Sequence, residues 1–128
     1  MLKKLSAVAA MLFAAVVPAS AHHSDAMFAA DKEVVLNGTV KEFQYTNPHS
    51  WIQLLVAGEA GAQPVEWSIE TGAPIVLLRA GIKPTALKPG DRITLRAHPL
   101  KDGTAGGSLI DIKKEDGTTM SLRGPAAY

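Results

Sequence analysis

The chain contains no cysteine. Disulfides, thiolate metal sites and a cysteine nucleophile are therefore excluded, and the fold must be held by its core or by a bound ligand. Charge of one sign is also missing, with 13 basic against 12 acidic residues and a formal net charge of +1. Without a basic run there is no electrostatic case for nucleic acid. No GxSxG turn, phosphate-cradling glycine loop or HExxH helix occurs, which removes the familiar signatures of acyl transfer, nucleotide binding and zinc proteolysis. After the first segment no second long apolar run follows, so the remainder is expected to carry no stable membrane anchor.

That first segment has the layout of a secretory signal. Lys3 and Lys4 supply a positive start, Leu5 to Val17 an apolar stretch, and Ala19-Ser20-Ala21 a small-x-small processing site. The apolar stretch is short for a membrane span, so residues 1–21 are read as a cleaved signal peptide and the mature protein as periplasmic. Cleavage removes two lysines and turns the formal balance from +1 to −1. What is left suits one domain with one core.

Residues 22–33 read as a mobile lead-in, with Met27 and Phe28 docking on the body. From Val34 the pattern turns to strands. Leu36, Gly38 and Val40 share one face, whereas Phe43 and Tyr45 follow the opposite parity. A strand that changes parity needs an extra residue, so a β-bulge is expected near Lys41-Glu42. Thr46-Asn47-Pro48-His49 breaks this strand, because Pro48 cannot donate to a ladder. Alternation then marks Ile52, Leu54 and Val56 as strand two, and Val65, Trp67 and Ile69 as strand three. Glu66 and Glu70 point outward from it and read as solvated charges. Pro74 to Ala80 is a short helix with a proline start and Gly81 as its stop, apolar enough to plug a barrel end. Ile93, Leu95 and Ala97 form strand four; Lys101 to Gly107 is a glycine-rich loop; Leu109 to Ile112 is strand five. Asp116-Gly117 signals a hairpin into a last short strand, Thr119 to Leu122. The chain shows no internal repeat. Five to six strands with one short helix between strands three and four is the layout of a mainly β, OB-like barrel over residues 34–123. An open β-sandwich is the alternative.

The four histidines hold the chemistry: His22, His23, His49 and His98. Cleavage after Ala21 gives His22 a free amine beside its imidazole, and both nitrogens chelate one metal. A third imidazole, from His49 or His98, completes a T-shaped three-nitrogen site, the histidine brace, which favours Cu(II). Cleavage after Ala19 instead places His22 third, where amine, two amides and imidazole form a square plane, again suited to Cu(II) or Ni(II). His49 lies in the loop between strands one and two, and His98 at the end of strand four. In an OB-type barrel these flank the usual binding face. Trp51 faces outward beside His49 and, with Tyr45 and Asn47, offers a surface for a ligand.

Ala21-His22-His23-Ser24 after a signal peptide, Leu36-Asn37-Gly38-Thr39-Val40, Thr46-Asn47-Pro48-His49, Leu77-Leu78-Arg79-Ala80-Gly81 and Leu87-Lys88-Pro89-Gly90-Asp91 occur in that order. In this the chain resembles domain-of-unknown-function family 6152. The resemblance implies an exported small β-domain and supplies no activity. The His-His start and the Asn-Pro-His loop belong to its pattern; a ligand role for His98 rests on this sequence alone.

The first functional reading is a non-catalytic, copper-binding periplasmic protein. His22 and His49 are its ligands, His23 or His98 a fourth, and Asn47 and Trp51 support them. Its partners are then a metal-handling protein or an envelope ligand. The second reading is a metal-independent module that binds an envelope glycan or peptide near Tyr45, Asn47, Trp51 and His49. A copper oxidase is the third; it needs an open equatorial position and a substrate surface, and the sequence displays neither.

Overall fold

The computed structural model describes residues 25–123. Its strands are β1 (Val34–Gln44), β2 (Trp51–Val56), β3 (Val65–Glu70), β4 (Arg92–Pro99), β5 (Gly106–Lys114) and β6 (Thr119–Ser121), with one helix, α1 (Pro74–Arg79), between β3 and β4. The sheet order is β3-β2-β1-β4-β5-β6, and a parallel pairing of β3 with β5 closes the first five strands into a barrel. This is the OB-type connectivity, with β6 added to the free edge of β5. No helix among the described residues is long and apolar enough to cross a membrane.

The expected change of parity in β1 is present. Val40 pairs with Leu54 while Glu42 pairs with Gln53, so Lys41 is the inserted residue. The bulge lets Leu36 and Val40 face the barrel interior while Phe43, of opposite parity, also packs on the core. Ile52, Leu54, Ile69, Leu95, Ala97 and Ile112 fill that interior and are almost wholly buried. Each large aliphatic of this set contributes about 1.5–3 kcal/mol by leaving water. Trp67 is half-buried and packs against the same cluster.

Two expectations about the loops need correction. Gly106 and Gly107 belong to β5 rather than to a loop over residues 101–107. Neighbouring backbone comes close there: a Cβ on Gly107 would lie 2.6 Å from the His98 carbonyl oxygen. Only glycine lets β5 pass between β4 and β3. The helix is also less of a plug than its composition implies. Leu77 alone of its side chains is buried, whereas Ile75, Val76 and Leu78 are exposed. The helix ends where expected, with Gly81 at φ +79°. The Ile82 amide donates to the Leu77 carbonyl and the Gly81 amide to that of Leu78, a Schellman stop. The Tyr45 hydroxyl reaches both ends of this segment, 3.1 Å from the Pro74 carbonyl and 2.9 Å from that of Ile82.

The stretch before β1 runs along the β4–β5 connection. Phe28 is buried and bridges to Leu100, the Ala29 amide donates to the Pro99 carbonyl, and the Lys101 amide to that of Met27. Met27 itself is 41% exposed.

Candidate functional site

The Asn-Pro-His turn is built by its flanking hydroxyls. The Thr46 amide donates to Ser50 Oγ, Ser50 Oγ to the Thr46 carbonyl, and Thr46 Oγ1 to the carbonyl of His49. The Asn47–Pro48 peptide is cis. Ser50 is fully buried and continues the β2–β3 ladder beyond its last register pair: its amide donates to the Gly72 carbonyl, and its own carbonyl accepts from the Thr71 amide. The hairpin register therefore sets His49 above the end of β3.

There it meets a carboxylate. Nδ1 of His49 lies 2.5 Å from Oε1 of Glu70. The contact sets the Nδ1 edge of the imidazole against the carboxylate and so orients the ring. The two groups differ in exposure: the His49 side chain is 37% exposed and that of Glu70 only 9%. Glu70 does point outward from the barrel, as its parity requires, but it is covered rather than solvated. The reading of Glu70 as a surface charge is thus corrected. Glu66, by contrast, is exposed and pairs with Lys41 at 2.8 Å, an ion pair that holds the Lys41 ammonium above its usual range, through its hydrogen bond first and its charge second.

Glu70 lines a cleft of about 520 Å³ together with Asp25, His49, Thr71, Ser108 and Arg123. Oε2 of Glu70 and Oγ1 of Thr71 are among the polar atoms buried at this cleft without a hydrogen-bond partner. Such atoms cost about 1–3 kcal/mol each when left unsatisfied. Two other clefts, of about 610 and 710 Å³, have no histidine among their lining residues.

The other sequence-derived residues distribute as follows. His98, at the end of β4, places its Nδ1 2.8 Å from the carbonyl of Lys32. A carbonyl only accepts, so Nδ1 carries the proton in this contact. His98 pairs with Ser108, which pairs with Glu70, which pairs with Trp51. One row across four strands thus holds all of them, and two strand spacings, about 10 Å, separate His98 from Glu70. Trp51 is half-buried on the outer face, and Asn47 is exposed. The hydroxyl of Tyr45 is engaged by the α1 segment. His22 and His23 lie outside the described residues. Among the described residues no group of three or more His, Asp or Glu side chains is placed to hold a metal. Glu70 is the member of the site that sequence reasoning missed. The signal that finds it is the hairpin register, which sets residue 50 opposite residue 71.

A family model matches the chain over residues 9–113, and that family is described as one of unknown function. No curated protein and no solved structure matches the chain.

Proposed function

This chain belongs to the family of unknown function DUF6152, a description that assigns no activity, and from the chemistry of the site we propose that it is an exported periplasmic protein that binds Cu(II) without catalysis. Loss of residues 1–21 frees the amine of His22. That amine, the His22 ring and Nε2 of His49 supply three nitrogens in the geometry Cu(II) prefers. His23 is the fourth ligand we favour, since His98 stands two strands away from Glu70 and holds Lys32 through its Nδ1.

The observation that carries this reading is the contact of His49 Nδ1 with Glu70 Oε1. Metal-bound histidines commonly donate their second ring N–H to a carboxylate, which fixes the tautomer and makes the free nitrogen a better ligand. Asp25 lines the same cleft, and His22 precedes it by three residues. Three residues of extended chain cover about 11 Å, which is the reach of the terminal amine from Asp25. Metal competes with protons for these nitrogens, so affinity falls as pH drops.

Cu(II) titration of the processed protein beside His22→Ala and His49→Ala variants tests the reading. Each variant is expected to lose the tight site. Equal affinity in parent and His22→Ala removes it. A metal-independent ligand module is favoured instead by one feature, the outward Trp51 beside Glu70 in register. Ligand retention in EDTA, together with its loss in Trp51→Ala, is the outcome that selects this second reading.

A further inference from the structure

The cleft above β3 has a demand that the copper reading leaves unmet. Oε1 of Glu70 is engaged by His49, but Oε2 is buried and accepts no hydrogen bond, and the neighbouring Thr71 hydroxyl is buried and equally unpartnered. A carboxylate oxygen only accepts, so whatever completes this cleft brings donors, and a cationic donor best of all.

Both described chain ends border the cleft, Asp25 on one side and Arg123 on the other. Their continuations differ in chemistry. Beyond Arg123 come Gly124, Pro125, Ala126, Ala127 and Tyr128. That stretch has no cation in its side chains, and a proline takes one backbone donor away. Before Asp25 come His22, His23 and Ser24, with two imidazoles, a hydroxyl and the backbone amides, and with an ammonium once the leader is removed. Charge and donor complementarity to Glu70 select the segment before Asp25.

We propose that residues 22–24 are the cleft's own occupant: the segment docks against β3, with N–H donors on Oε2 of Glu70 and Oγ1 of Thr71. The dock uses the same cleft as the copper site yet needs no metal. It sets the His22 nitrogens beside His49 before metal arrives, which lowers the ordering cost of binding. Glu70 thereby acts as a positioning residue on two sides, Oε1 orienting His49 and Oε2 holding the segment that carries His22.

Backbone ¹⁵N relaxation of the processed full chain in EDTA tests this. Order parameters for His23 and Ser24 are expected near the rigid-backbone value of about 0.85, falling below about 0.6 in Thr71→Val and in Glu70→Gln. Barrel amide shifts report whether each variant stays folded; should Glu70→Gln unfold, Thr71→Val decides. Values below about 0.6 for His23 and Ser24 in the parent overturn the proposal, as does ordering of residues 124–128 in their place. Because EDTA removes metal, a failed copper titration leaves this result standing, and a mobile segment in EDTA leaves the copper titration standing.

Discussion

Arg96 clasps Asp111 across β4 and β5 with two parallel bonds, Nε to Oδ1 at 2.9 Å and Nη2 to Oδ2 at 2.7 Å. Asp111 is 2% exposed, and the same guanidinium reaches Glu33 at 3.3 Å. Truncating the cation leaves a carboxylate out of water without its charge partner. Arg96→Ala is expected to lose about 3 kcal/mol in urea unfolding. A paired apolar replacement of Arg96 and Asp111 is expected to lose much less, since no buried charge remains. Equal losses in the two variants contradict this account.

The hydroxyl of Tyr45 joins the carbonyls of Pro74 and Ile82 and so ties the α1 segment to the end of β1. Tyr45→Phe is expected to cost about 1 kcal/mol, the net worth of one hydrogen bond. Amide exchange at Gly81 and Ile82 is expected to accelerate, with β4 amides unaffected. Cu(II) affinity is expected to stay at the parent value, because this hydroxyl faces α1 and not the cleft.

Gly107 tests the closure of the barrel. With a Cβ contact of 2.6 Å to the His98 carbonyl, Gly107→Ala forces β4 and β5 apart and is expected to cost about 1–3 kcal/mol. Exchange protection should fall first at residues 97–99 and 107–109, where β4 pairs with β5. Uniform loss across all strands, read by hydrogen exchange, argues against a local origin.

Glu70→Gln separates orientation from ligation. The carboxylate is not a copper ligand in the proposed site, so the variant keeps every ligating nitrogen. Its Cu(II) affinity is nevertheless expected to drop about 10–100-fold, the usual effect of losing a carboxylate behind a metal-bound histidine. Competition titration against a chelator measures it; an unchanged affinity shows that the Glu70 contact does not serve the metal.

The local pattern of the chain determined its elements. Alternation set β2, β3 and β4, the parity change between Val40 and Phe43 required the bulge at Lys41, and Pro74 with Gly81 bounded the helix. Each of these follows from neighbours within a few residues, where side-chain period and backbone sterics act directly. Closure was another matter. Gly106 and Gly107 read as loop residues because glycine is permissive, and only the approach of the His98 and Ser68 carbonyls shows that they are strand residues under a steric limit. Glu70 makes the same point for the site. Parity correctly aimed it out of the barrel, and an outward carboxylate ordinarily meets water. Its burial, and its contact with His49, arise from the turn folding over the end of β3 and from Asp25, Thr71, Ser108 and Arg123 closing around it. Desolvation of a side chain is set by what packs on it from distant parts of the sequence, so the residue types were legible in advance and their shared cleft was decided by tertiary structure alone.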